Sequence, residues 1–279
     1  MAKYIKLFII LALVHVSFGV AAQTYLEEPL HTQDGGLYVT KIGICSEYRA
    51  RSFTYCYDTE KRIALWVAYP LNTALIGRGS RSETWLPDTD ISIESQPVLY
   101  KGFARDSGYD RGHQIPSADR LYHLCNQQTF TFTNATPQLH DFNGGIWAEL
   151  EKVVRTWAKR SDTLYVVTGV IPGNRTIDDN VGNPINIPAA YYKAVLRLST
   201  DKKGNRHWSS ASVYLEHKVV DVGTWQENLG YFKSKSLSLA ELEKITGQTF
   251  YPLLKKKVPA EEYTRIKTSD PKLTGWWWK

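Results

Sequence analysis

Sulfur is scarce in this chain. Its 279 residues hold one methionine and three cysteines, Cys45, Cys56 and Cys125. No two of these form a C-x-x-C pair, which excludes a zinc-knuckle or zinc-ribbon pattern. No internal repeat or low-complexity tract appears, which excludes solenoids and fibrous folds. Neither sign of charge dominates: 34 basic residues face 28 acidic ones, for a net +6. That mild excess permits a polyanionic partner without demanding one. Hydrophobic content of 43%, with 13% aromatics, excludes a disordered chain.

Only one apolar run approaches the length of a leader. Lys3 and Lys6 precede the run Leu7–Val14, His15 interrupts it, and Val20-Ala21-Ala22 supplies small residues for cleavage. This pattern reads as a secretory signal peptide over residues 1–22, with Gln23 as the new terminus. A retained membrane anchor is the competing reading, weakened by the short run and the polar segment after it. Removing residues 1–22 removes two lysines and no acid, so the net charge falls from +6 to +4. A secreted or periplasmic protein, free of the membrane, is expected. Oxidising surroundings favour a disulfide. Cys45 and Cys56 flank ten residues that suit a hairpin and are the expected pair, which leaves Cys125 odd and buried.

Residues 23–60 lack a clear period and read as an N-terminal extension to a domain over 61–279. The run Ile63–Leu71 is a buried strand. Short strands are expected at Pro97–Tyr100 and ahead of Tyr109, and a β-rich segment at Thr129–Asn134. A helix is expected over Asn143–Arg160, with Asn143 at its N-cap and Ile146, Leu150, Val153, Val154 and Trp157 at helical spacing. Three further strands follow in "TLYVVTGVI", "INIPAAYYKAVLRLS" and "WSSASVYLEH". Ser238 and Glu241 have capping-box spacing, with Gly247 as the stop. The result is an α+β domain with sheet dominant and two well-marked helices. The run Trp276–Trp278 reads equally as packed or exposed.

The stretch "GYDRGHQIPSADR", Gly108–Arg120, concentrates the chemistry. Gly112 lets the backbone turn sharply and bring His113 to a surface. A histidine near neutral pH suits a general base, although a lone histidine is more often structural. Arg111 shares the face of His113 if the segment is extended, and a guanidinium beside a base suggests a phosphate. Asn143, Trp147, Glu151 and Arg155 recur every four residues and form a slanted stripe along one helix face. Such a stripe offers an amide oxygen and a carboxylate to a hard cation, or it is an ordinary solvated face.

The two blocks "GYDRGHQIPSADR" and "FTNATPQLHDFNGGIWAELE" together resemble the signature of the DNA/RNA non-specific endonucleases, the family of Serratia nuclease and endonuclease G. The likeness runs from about Ile63 to Leu254, with later strands and the closing "LEKITGQTFYPLL" in order. It implies a ββα-metal fold, a central antiparallel sheet with flanking helices. It implies hydrolysis of DNA and RNA to 5′-phosphate ends with Mg2+, for which Mn2+ can substitute, and allows a homodimer. His113 matches the general base, Asn143 the direct metal ligand, and Glu151 the carboxylate that orients metal-bound water. Arg111 matches an arginine near the scissile phosphate, Arg155 a further basic residue and Asn134 a supporting asparagine. Arg81, in "SRSETW", is the candidate for an upstream arginine. Competing readings are a silent nucleic-acid-binding protein on this fold and a metal phosphodiesterase acting on small diesters. A zinc site of His113, His123 and His140 matches no common spacing, and Lys255–Lys257 reads as a solvated surface run.

Overall fold

A computed structural model describes residues 25–31, 36–44 and 49–279. The expected leader and Cys45 lie outside those residues. The strands, in chain order, are β1 Leu30–His31, β2 Gly36–Ile44, β3 Arg49–Asp58, β4 Ile63–Leu71, β5 Tyr109–His113 and β6 Ala135–Leu139. They continue with β7 Thr163–Asp178, β8 Pro184–Thr200, β9 Arg206–Glu216, β10 Ser236–Leu237 and β11 Gln248–Thr249. The helices are α1 Thr73–Ile76, α2 His123–Gln128, α3 Ala148–Lys159, α4 Trp225–Ser234, α5 Leu239–Thr246 and α6 Ala260–Thr268. None of the helices among these residues is long and apolar enough to cross a membrane.

Seven strands form one antiparallel sheet in the order β10-β9-β8-β7-β4-β3-β2. The sheet is covered on both faces, so β4 reads as a continuous apolar run, IALWVAYPL, instead of an alternating one. Its period of two still sorts the side chains. Val67, Tyr69 and Leu71 enter the core on one face, Trp66 and Ala68 the core on the other. The first face carries the β5–β6 hairpin, α3 and α4. The second carries α5, α6 and the Phe250-Tyr251 corner. Helix α3 docks because Leu150, Val153, Val154, Trp157 and Ala158 form one apolar stripe, and all five are buried. Helix α5 opens with the expected capping box: Ser238 Oγ accepts from Glu241 N–H at 3.2 Å, and Glu241 Oε2 accepts from Ser238 N–H at 2.8 Å. Gly247 closes it at φ 68°.

Several expectations are corrected. The segment 23–60 is not outside the domain body, because β2 and β3 continue the main sheet beyond β4. Thr129–Asn134 is not a strand. The Thr129 and Thr131 hydroxyls donate to the carbonyls of Asn126 and Gln128, holding turns that bury Phe130 and Phe132, and Phe132–Asn134 is a 3-10 turn. Pro97–Tyr100 is irregular. Two helices become six, with α4 opened by a second capping box at Thr224 and Glu227.

The expected Cys45–Cys56 bridge does not form: Cys56 is free and buried, and Cys125 is the disulfide-bonded residue. Cys56 sits seven residues into β3 from Arg49, opposite Tyr38 of β2, which at about 3.3 Å per residue is roughly 23 Å along the strand. Burial pushes the Cys56 thiol up to about 12.

The tryptophan run packs against the body. Trp277 is wholly buried, its ring edge-on to Trp157 at 4.8 Å, and Trp157 Nε1 donates to the Trp277 carbonyl at 2.7 Å. Trp278 Nε1 donates to the Pro271 carbonyl at 2.8 Å, and the Arg197 guanidinium lies 3.7 Å from the Trp276 ring centre. Trp277→Ala is therefore expected to cost about 3–5 kcal/mol, read as a lowered urea midpoint. An unchanged midpoint would show that the tail contributes nothing to the fold.

Candidate active site

Strand β5 pairs with β6 so that Gly112 faces Thr136 and His113 faces Ala135. Being extended, β5 places Arg111 and His113 on one face and Asp110 on the other. Gly112 does not make a turn, because it lies within the strand and has no positive φ. Its role is space: a Cβ there would lie 2.2 Å from the Gln138 side chain, which crosses over it from β6. Correction of that expectation leaves the glycine just as necessary, for a packing reason.

Side-chain bonds tie the hairpin to the sheet. Gln114 Nε2 donates to the Ala64 carbonyl of β4 at 2.5 Å. The Tyr191 hydroxyl of β8 lies 3.0 Å from Thr136 Oγ1 and 3.1 Å from the Pro137 carbonyl. His217 receives the Leu139 N–H on Nε2 and sits 2.8 Å from the Pro188 carbonyl through Nδ1. A backbone donor on one side and a carbonyl on the other require the neutral Nδ1–H tautomer, and burial lowers the pKa of His217 accordingly. Asn134 is fully committed to the backbone. Its Oδ1 accepts from Ile115 N–H, and its Nδ2 reaches the Ile115 and Thr129 carbonyls. It therefore positions the chain after His113 and, being buried, touches no substrate.

The His113 ring is wedged between Trp85 and Phe130, at 4.6 and 4.7 Å between centroids. Its Nε2 is buried and has no hydrogen-bond partner among the described residues. Burial, followed by the charges of Arg81 and Arg111, pushes its pKa down to about 3. The imidazole is thus held in its neutral form across the physiological range. The arginines are themselves placed by the same aromatics. The Arg81 guanidinium lies 5.1 Å from the Phe130 ring and donates to Ser117 Oγ at 3.1 Å. Arg111 lies 5.3 Å from the Trp85 ring and donates to the Leu99 carbonyl at 2.9 Å.

Asn143 does not cap a regular helix. Phe142–Trp147 is a wide π-type turn in which Gly145 leaves helical geometry, at φ −98° and ψ −116°, and α3 begins only at Ala148. The Asn143 Nδ2 donates to Asp110 Oδ2 at 3.0 Å, and His140 Nδ1 meets the same oxygen at 3.0 Å. A carboxylate only accepts, so the Asn143 NH2 faces Asp110 and its carbonyl oxygen faces away. That leaves one oriented hard-oxygen donor, held by an outer partner as metal ligands are.

In the first turn of α3, Glu151 supplies a carboxylate that could orient metal-bound water. It accepts no hydrogen bond among the described residues, and Arg155 lies 4.0 Å from it. Burial raises its pKa, against the pull of Lys193 and Arg155. Lys193, buried on β8, donates to Thr168 Oγ1 at 2.7 Å, and burial lowers its pKa. Arg155 is held by Asp119 at 3.0 Å, whose other oxygen accepts from the Tyr69 hydroxyl at 2.9 Å. Few protein oxygens, one amide and one carboxylate, suit Mg2+, which keeps most of its waters. Among the described residues no three His, Cys, Asp or Glu side chains cluster as metal ligands; His123 lies on α2, and His140 is engaged by Asp110.

The structure thus sets Arg81 and Arg111 beside His113 and Arg155 beside Glu151, with Arg81 also close enough to act on Glu151; Asn143 is joined to Asp110, and Asn134 braces the backbone after His113. Residue patterns overlooked Asp110, Asp119, Lys193, Trp85 and Phe130. Lys193 carried a signal: a lysine inside the apolar run AAYYKAVL is almost never buried without a partner.

The architecture has solved counterparts. A structure of the EndoG/EndoGI complex matches with a TM-score of 0.59 at 20% identity, covering 76% of this chain and 88% of that one. The fold is the ββα-metal nuclease fold. The family model described as DNA/RNA non-specific endonuclease matches residues 35–257. A nuclease of Nostoc sp. is 29% identical over 202 residues, 71% of this chain and 70% of that protein. Nuclease C1 of Cunninghamella echinulata is 29% identical over 221 residues, 73% and 81% respectively. Mitochondrial endonuclease G of Bos taurus is 30% identical over 165 residues, 55% of each chain. This chain belongs to the DNA/RNA non-specific endonuclease family, and is a nucleic-acid hydrolase.

The low pKa of His113 sets a stability trend. Unfolded histidine titrates near about 6.5, so below that pH the unfolded chain binds a proton that folded His113 refuses. Stability falls as pH falls from about 6.5 towards 3. In metal-free buffer, His113→Gln is expected to lose less stability than the parent between neutral and mildly acidic pH. Equal losses in denaturant titrations would contradict the buried, neutral imidazole.

Proposed function

We propose that this chain is an exported endonuclease that hydrolyses DNA and RNA phosphodiesters to 5′-phosphate ends with Mg2+. The observation that carries the chemistry is the placement of the His113 imidazole between Trp85 and Phe130, the same two rings that hold the guanidiniums of Arg111 and Arg81. A base that stays unprotonated next to two cations suits an anionic substrate: the cations draw the phosphate in, and the imidazole keeps its lone pair. Export is supported by the leader pattern at 1–22 and by the disulfide at Cys125.

His113 takes a proton from a water molecule, and the resulting hydroxide attacks phosphorus in line with the departing 3′ oxygen. Arg111 and Arg81 bind the non-bridging oxygens and stabilise the added charge of the transition state. Arg155, its charge secured by Asp119, supplies further positive potential beside Glu151. Asn143 would hold the magnesium ion and Glu151 would orient its bound water, and the ion would supply Lewis acidity to the phosphate when bound. Asp110 keeps the Asn143 oxygen aimed by occupying its NH2 group. Contacts of this kind go to phosphate and sugar, so they carry little base information and admit both DNA and RNA.

The decisive assay is cleavage of plasmid DNA and of RNA with Mg2+ and with EDTA. His113→Ala is expected to fold and to lose at least about a hundredfold in turnover, and near-normal cleavage by it would falsify the base assignment. Asp110→Asn is expected to raise the Mg2+ needed for half-maximal rate by about 10–100-fold. An unchanged metal titration in Asp110→Asn and in Asn143→Ala sinks the ligand assignment.

A further inference from the structure

On the second face of the sheet, away from His113, a cleft of about 340 Å³ opens between β7, β9 and the segment leading into α6. Its floor is aromatic. Tyr165 and Trp208 lie 6.1 Å apart between ring centres, with their planes 30° apart. Val258 and Pro259 close one apolar side, and the cations Arg206 and Lys257 stand at the rim. The only acid there, Glu262, is paired with Arg265 at 3.5 Å. Neither Arg206 nor Lys257 has an ion-pair partner among the described residues, and both are exposed. Lys255 and Lys256 beside the cleft, and Lys202 and Lys203 in the turn before Arg206, extend the positive field. Lys257 thus lines a cleft, where the residue pattern favoured a solvated run over a nucleic-acid track.

We propose that this cleft is a second polynucleotide site, taking one nucleotide unit of a strand whose distant part occupies the active site. The base lies against Tyr165 and Trp208, and the adjoining phosphate meets Arg206 and Lys257. Stacking on an aromatic floor with cations at the edge binds single strands with little sequence preference. The inference rests on the nucleic-acid-hydrolase reading, and deepens it by setting a length dependence. A chain of this size has a radius of gyration of about 19 Å. A strand passing from one sheet face to the other travels roughly 50–75 Å, at most about 15–22 nucleotides, the number needed if its bases stay stacked at about 3.4 Å each. Longer strands engage both sites, and the second contact is then intramolecular and raises apparent affinity. Shorter strands reach only the active site.

The test uses the full mature chain and the variant Arg206→Ala/Lys257→Ala, with single-stranded DNA of about 60 and about 8 nucleotides. For the long strand, KM is expected to rise about tenfold with kcat unchanged. For the short strand neither constant moves. Binding of the long strand in EDTA is expected to lose about 1.4 from its log-log salt slope, the share of two phosphate contacts on a single strand. Arg206→Lys/Lys257→Arg keeps the charge and restores most of the long-strand affinity, which separates charge from misfolding. An unchanged long-strand KM overturns the second site, and so does an equal change for both lengths. If no form of the protein cleaves either strand, the hydrolase reading fails, and the EDTA binding comparison alone decides the cleft.

Discussion

A buried carboxylate must be paired, and the pairing of Asp119 sets the geometry around which the site is assembled. It is almost fully buried, and its two oxygens reach Tyr69 on β4 and Arg155 on α3. The next residue, Arg120, is wholly buried and donates to the carbonyls of Ser52 and Pro70 on β3 and β4. An ion left unpaired at such a depth is costly, so this dipeptide has few places to sit. It locks the end of the DRGH-bearing segment to the sheet and α3 to that segment. The position of Glu151, one helical turn before Arg155, follows from that lock.

The candidate site residues are held by neighbours outside the proposed chemistry. Asp110 turns the Asn143 amide, Asn134 fixes the backbone beyond His113, and Trp85 with Phe130 confines the imidazole. Burial does two opposite things within this small volume. It pushes His113 towards its neutral form and Glu151 towards protonation, while Lys193 and Arg155 draw Glu151 back towards its anion. A base without charge and a carboxylate backed by cations are what phosphate chemistry at neutral pH requires.

The sheet separates two cores with different duties. One face supports the catalytic hairpin and α3, and the C-terminal tryptophans brace that helix from behind. The other buries α5 and α6 and leaves the aromatic, basic cleft at its margin. Because β4, β7 and β8 contribute to both cores, the two faces are linked through shared strands.

Much of this was legible in the residue order. Long apolar runs marked β4, β7, β8 and β9, and the stripe Leu150–Val153–Val154–Trp157 marked α3, because burial against a neighbour imposes a period. The capping box at Ser238 was legible because its bonds are local. The site residues were legible because their types and spacings form a distinctive pair of blocks. What failed lay in which partner each residue takes. Thr129–Asn134 alternates as a strand does, yet the Thr129 and Thr131 hydroxyls bond back to the Asn126 and Gln128 carbonyls, and pairing is reduced to an isolated bridge between Thr131 and Leu86. Cysteine spacing suggested a hairpin staple, whereas strand register sets Cys56 opposite Tyr38.

Residue order alone determined the fold class and the main strands, which follow from local periodicity, and nominated the candidate base, metal ligand and arginines through two motif blocks that resemble a known family. Tertiary structure alone decided that Gly112 makes room for Gln138, that Asp110 aims Asn143, that Lys193 backs Glu151, and that Arg206 and Lys257 share a cleft. Those relations join residues tens of positions apart. Their energy comes from close approach and lost solvent, and neither exists until the chain has packed.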